Sequence, residues 1–174
     1  EEESAFHFPI QFDDKVITLL LDSQPTFKSV LKYVDEIVKI ANKSQRKIFL
    51  FIFCSSSSDK KKSLFSAVCK KAVNSKSYPT NLIIIPMSKQ RDQIVAPIMY
   101  RSNVTITRAG GQTIMELMKL GTGFSFIHCE REEIKTKSDE QEQLMKGIVT
   151  WEAYNALYLV RKNRARFVTC DLFE

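Results

Sequence analysis

The sequence is poor in the residues that build metal centres. It has two histidines, His7 and His128, and its four cysteines, Cys54, Cys69, Cys129 and Cys170, form no C-x-x-C pair. That scarcity argues against a zinc site. Scattered cysteines in apolar segments read as reduced core thiols, so a cytoplasmic protein is expected. Long apolar runs are also missing. The longest, Ile48–Cys54 (IFLFIFC), falls far short of the roughly 20 residues a membrane-spanning helix needs, and no signal peptide is visible. No aromatic-basic motif of the RRM type occurs, and basic residues are interspersed with acidic ones, which speaks against nucleic acid as a partner. There is no internal repeat, and Ser55–Ser58 is the only low-complexity stretch. It reads as a loop before Asp59, with a phosphate loop as the weaker alternative.

What is present fits one globular domain. A chain of 174 residues, 44% hydrophobic and 26% charged, can bury a real core. The net charge of +6 favours an anionic partner, whether a nucleotide diphosphate, an acidic membrane surface or nucleic acid, without choosing among them. The opening Glu1-Glu2-Glu3, without Met, reads as the start of a piece of a longer chain.

Short apolar runs without clean alternation occur at Val16–Leu21, Ile48–Cys54, Leu82–Pro86, Val104–Thr107, Phe124–Ile127 and Phe167–Cys170. Such runs fit strands buried on both faces, as in a parallel sheet. Between them lie helical stripes. The clearest is Phe27, Val30, Leu31, Val34, Ile37, Val38 and Ala41. Others are Leu64–Val73, Ile94–Met99, Ile114–Leu120 and Trp151–Val160. Alternation of strand and helix through the whole chain predicts an α/β fold of βαβ units, with right-handed crossovers and a mainly parallel six-stranded sheet covered on both faces. The charge-dense stretch Glu130–Thr150 interrupts this rhythm and reads as a functional or mobile insertion at the carboxyl edge.

Ligands of open α/β sheets bind beyond the carboxyl ends of the strands, where strand order reverses. Two loops there have suitable chemistry. Asp22-Ser23-Gln24-Pro25-Thr26 leads into the first helix and reads foremost as an N-cap with proline in the first turn. It also offers hydroxyls and amides to a phosphate. The second is Thr107-Arg108-Ala109-Gly110-Gly111-Gln112-Thr113-Ile114-Met115-Glu116. Its two glycines allow positive φ and close approach of a ligand. A helix starting at or near Thr113 points its amides at an anion. Glu116, one turn in, suits a vicinal diol such as a ribose, and equally suits a capping box with Thr113.

The stretch from Thr107 to Gly121 resembles the donor loop of GT-B glycosyltransferases, where a buried strand is followed by S/T-R-x-G-G/A-x-T-x-x-E, a helix and L-G. The similarity is to the branch of the peptidoglycan N-acetylglucosaminyltransferase and the plant monogalactosyldiacylglycerol synthase. A second stretch, Thr150-Trp151-Glu152-Ala153-Tyr154-Asn155-Ala156, resembles the family's D-x-Q-x-x-N-A. It departs from it with Thr150 in place of Asp and Glu152 in place of Gln. The family's glycine-rich first loop is replaced by Asp22–Thr26, which has no glycine.

The resemblance implies a Rossmann-like, doubly wound domain of strand order 3-2-1-4-5-6, one half of a two-domain GT-B fold spanning 1–174, that binds a UDP-sugar and needs no cofactor or metal. Gly110, Gly111, Gln112 and Thr113 would hold the diphosphate, with Ser23 and Gln24 across the switch point. Glu116 would hold the ribose, Glu152 and Asn155 would face the sugar, and the uracil would lie near Pro86-Met87-Ser88. The complete enzyme would transfer a hexose or N-acetylhexosamine to a hydroxyl acceptor. Arg108 and the helix N-terminus would stabilise charge developing on the diphosphate. Arg108 and His128 are the two catalytic candidates on this chain, His128 reading first as a structural hydrogen-bond partner. The catalytic base would come from an acceptor-binding domain or subunit, so this domain alone is expected to be inactive.

Three alternatives stay open: a degenerate GT-B-like binding or scaffold module, the donor subunit of a two-chain transferase, and a nucleotide-sugar epimerase. Arg161, Lys162, Arg164 and Arg166 read as a solvated face that complements the fifth helix's dipole. Because several relatives glycosylate lipids, a peripheral membrane contact is a second reading of this cluster, which is too short to carry it alone. Trp151 reads as a core aromatic at the rim of the site.

Overall fold

The computed structural model describes residues 9–21, 27–54, 63–74, 78–88, 92–121, 123–129, 148 and 150–170. Strands β1 (Lys15–Leu20), β2 (Ile48–Phe53), β3 (Leu82–Met87), β4 (Val104–Thr107), β5 (Phe124–His128) and β6 (Ala165–Val168) alternate with helices. The helices are α1 (Phe27–Lys43), α2 (Leu64–Asn74), α3 (Asp92–Arg101), α4 (Gly111–Leu120) and α5 (Thr150–Arg161). The six strands form one sheet of order β3-β2-β1-β4-β5-β6. Every pairing is parallel, with Ile17 against Val104 and Ile48 against Leu82 fixing the register around β1 and β2. This is a Rossmann-like doubly wound domain.

The burial pattern explains why the strands read as unbroken apolar runs. All six residues of β2 are buried, because helices cover both of its faces. One face carries α1 and α2, with Val30, Tyr33, Val34, Ile37, Ala41, Leu64 and Val68 packed on Ile17, Leu19, Leu50 and Ile52. The other carries α3, α4 and α5. Val95 and Ile98 lie on Phe49, Phe51 and Phe53. Ile114, Leu117, Ala156 and Leu159 lie with Ile127 and Phe167. Each large apolar side chain buried in this way contributes about 1.5–3 kcal/mol. The division of helices between faces follows from right-handed crossovers: the chain winds outward from β1 to β3, then returns to β4 and winds the other way. A crevice therefore opens at the carboxyl ends of β1 and β4.

Polar clasps close the amino edge. Asn81 Nδ2 donates to the carbonyls of Ala41 (3.1 Å), Ser44 (2.7 Å) and Arg46 (3.0 Å), joining the end of α1 to the entry of β2. Arg101 Nη2 donates to the carbonyls of Gln11, Phe12 and Asp14.

Helix α5 ends in a Schellman-type motif. Asn163 sits at φ 55, its N–H bonds the Val160 carbonyl, and the Arg164 N–H bonds the Leu159 carbonyl. Arg164 then donates through Nη2 to the Gly121 carbonyl. The basic cluster is thus not wholly a solvated face. Arg161, Lys162 and Arg166 are exposed, while Arg164 ties α5 to the turn after α4.

Strands β1, β2, β3 and β5 end within one residue of the sequence expectation, and two elements differ by more. Strand β6 runs over Ala165–Val168, not Phe167–Cys170, because Ser125 N–H takes the Arg164 carbonyl and His128 pairs with Val168. Helix α4 begins at Gly111, not at Thr113. The Glu130–Gly147 stretch and Ser55–Ser58 lie outside the described residues. Among the described residues, no helix is long and apolar enough to cross a membrane.

Candidate functional site

Strand β4 delivers the chain to the crevice. Its last residue, Thr107, donates through Oγ1 to the Leu20 carbonyl of β1 at 2.9 Å, so the two strand ends flanking the switch point are locked together. Arg108 follows, half-buried, and Ala109 is buried. The chain then turns through Gly110 into α4.

Gly110 is the N-cap of α4, and among the described residues no side chain caps the helix. The first bond of the helix is Ile114 N–H to the Gly110 carbonyl at 3.0 Å, so the N–H groups of Gly111, Gln112 and Thr113 precede it. Thr113 stands inside the helix, which rules out the capping box expected with Glu116. Glu116 instead accepts from Gln112 Nε2 at 3.0 Å, an i, i+4 pair on the helix surface.

The glycines of this turn are not there for the backbone. Gly110 has φ −57 and ψ 138, which any residue can adopt, and no glycine among the described residues has positive φ. A Cβ on Gly110 would meet nothing within 4 Å, and one on Gly111 would lie at an ordinary 3.6 Å from Asn155 Nδ2. Gly121 and Gly123 are the opposite case. A Cβ on Gly123 would collide with the carbonyls of Ser102 and Asn103, and one on Gly121 with that of Leu117. Packing demands the second pair of glycines, while among the described residues it leaves open space over Gly110 and an ordinary contact at Gly111.

The first turns of α5 lean against the same bend. Asn155 Nδ2 approaches the Ala109 carbonyl at 3.4 Å. Arg108 Nη2 faces both carboxylate oxygens of Glu152, at 3.2 and 3.3 Å. The structure thus gathers Arg108, Gly110, Gly111, Gln112, Thr113, Glu116, Glu152 and Asn155 around one helix N-terminus. Glu152, expected to face a sugar, is engaged by Arg108.

No family model matches the chain, and no curated protein matches it.

Two further expected residues are not part of this cluster. Met87 ends β3, separated from β4 by β2 and β1, or about 14 Å at ordinary strand spacing. Its carbonyl accepts from Cys54 N–H at 2.8 Å. His128 is buried at the end of β5, with Nδ1 2.8 Å from the Tyr33 hydroxyl and its ring edge-on to Tyr33. Burial first, and the charge of Arg108 second, push its pKa down to about 4, so it is a neutral ring that ties β5 to α1. Ser23, Gln24 and the side chain of Trp151 lie outside the described residues.

The two buried thiols near the carboxyl edge are inert. Cys54 and Cys129 are buried, and burial pushes both thiols up to about 12. All four cysteines are free. Among the described residues, no three His, Cys, Asp or Glu side chains gather in a way that could hold a metal ion.

Tyr33 and the Arg108–Glu152 pairing were not foreseen. Tyr33 sits on the apolar stripe of α1, where its hydroxyl gave no signal. Glu152 and Arg108 are 44 positions apart and meet only through the tertiary fold.

Proposed function

We infer that the domain binds a nucleotide-sugar of the UDP class at the carboxyl edge between β1 and β4, as the donor half of a glycosyltransferase. The observation that carries this reading is the uncapped N-terminus of α4 beneath unfilled space at Gly110, at the point where strand order reverses. The N–H groups of Gly111, Gln112 and Thr113 would meet the diphosphate, and Arg108 would add a cation. Glu116, one turn further, would accept from the ribose hydroxyls. Asn155, beside Gly111, would reach the sugar. Arg108 and the helix dipole would stabilise charge developing on the leaving diphosphate. A hydroxyl acceptor and the base that deprotonates it would come from a separate acceptor-binding domain or subunit, so the domain alone would bind donor without transferring sugar.

A second reading, a scaffold module that has given up donor binding, draws on one observation: Glu152 already neutralises Arg108. Calorimetric titration of UDP into the wild type and Glu116→Ala separates the two. The donor reading expects binding by the wild type and a loss of about 1.5–3 kcal/mol in Glu116→Ala, or roughly 10- to 100-fold. No binding by either protein, with both folded, favours the scaffold.

A further inference from the structure

The contact between Arg108 and Glu152 has an unusual form. A carboxylate held firmly by arginine is gripped by two nitrogens, fork to fork, at about 2.7–2.9 Å. Here a single nitrogen, Nη2, faces both oxygens, at 3.2 and 3.3 Å. The guanidinium's Nε and Nη1 take no part in the pair. The contact is nevertheless sheltered, with the Arg108 side chain 24% exposed and that of Glu152 13%. A cation so placed is costly to leave unbalanced, which gives Glu152 a reason to lie there. Next to this loose pair lie the uncapped α4 amides and the open space over Gly110.

We propose that Glu152 is the built-in counter-anion of Arg108: it occupies, in the unliganded protein, the guanidinium that a diphosphate takes over on binding. The proposal rests on the donor-site reading for its location, but its chemistry requires only a ligand of the pyrophosphate class. Glu152 then acts as a specificity determinant. A ligand with one negative charge offers Arg108 no more than Glu152 already does. A diphosphate brings more charge, and it reaches the α4 amides at the same time. The departure from the family's Gln at this position thereby gains a physical role.

The test is calorimetric titration of inorganic pyrophosphate into the wild type, Glu152→Gln, Arg108→Gln and the double variant, with melting temperatures measured alongside. Glu152→Gln is expected to bind pyrophosphate about 10-fold more tightly than the wild type. Arg108→Gln is expected to bind more weakly, and adding Glu152→Gln to it should restore little. If Glu152→Gln leaves Arg108 unbalanced and lowers the melting temperature, pyrophosphate should raise it again by more than it raises that of the wild type. Equal or weaker binding by Glu152→Gln overturns the proposal. So does an undiminished gain in the Arg108→Gln background, which would make Glu152 a general repulsive charge, and so does absence of pyrophosphate binding in every variant. If the pyrophosphate pattern appears as expected while UDP binds no better than pyrophosphate, the counter-anion role stands and the nucleotide-sugar reading falls.

Discussion

Replacing Gly110 by alanine should be nearly silent for folding and harmful for ligand binding, whereas the same change at Gly123 should do the reverse. At Gly110 the backbone lies at φ −57 and ψ 138, and an added Cβ meets nothing within 4 Å. Alanine there restricts the unfolded chain, which contributes about 0.4–1 kcal/mol. It is also a poorer N-cap than glycine, by a similar amount. The two effects offset, and for a domain of this size the melting temperature should stay within about 3 °C. The new methyl projects into the space a diphosphate would need above the α4 amides, so UDP affinity should fall at least about 10-fold, a loss of about 1.4 kcal/mol. At Gly123 the methyl meets the carbonyls of Ser102 and Asn103, and relief requires the backbone between β4 and β5 to move. A cost of about 2–4 kcal/mol corresponds to a fall of roughly 10 °C. Scanning calorimetry and UDP titration of both variants make the test. If Gly110→Ala binds UDP as well as the wild type, the open space is not where the ligand sits, and the reasoning fails.

Two other outcomes follow from the packing. His128 has a folded pKa of about 4 against an ordinary value near 6.5, so the unfolded chain binds its proton first. Its contribution is intact above pH 6.5, and about 3 kcal/mol is lost as the pH falls from there to about 4. Denaturant melts across that window should show the slope, and His128→Gln should flatten it; an unchanged slope would assign the acid sensitivity elsewhere. Asn81→Ala removes three hydrogen bonds that join α1 to the entry of β2, and should cost about 2 kcal/mol in a urea melt with unchanged nucleotide binding.

Much of this fold was legible because burial on both faces leaves a plain mark. Ile48–Phe53 contains no polar residue, which only a central parallel strand tolerates, and α1 shows its buried stripe in Val30, Tyr33, Val34, Ile37 and Ala41. Alternation pointed to a parallel sheet covered on both faces, but it does not fix strand order, since a 2-1-3-4-5 sheet alternates in the same way. Edges were harder. Strand β6 borders solvent and carries the exposed Arg166, so its apolar run begins after the strand does. Helix α4 starts without a polar cap, and reading Thr113 as the N-cap placed the start three residues late. Helix α3 extends over Asp92–Arg101 although it contains Pro97, whose exposed position lets solvent satisfy the freed carbonyl. At the candidate site, the double glycine stands where α4 begins, but its backbone does not do what was expected of it. The residues leave room instead of turning the chain through positive φ. The Arg108–Glu152 pair had no local signature, because its geometry depends on where α5 docks.

The most direct test of the central claim is a titration of isotope-labelled protein with UDP, followed by amide chemical shifts. The amides of Gly110, Gly111, Gln112 and Thr113 are expected to move first and furthest, with those of Arg108, Glu116 and Asn155 close behind. Shifts confined to other loops, or a spectrum unchanged at millimolar UDP, would contradict it.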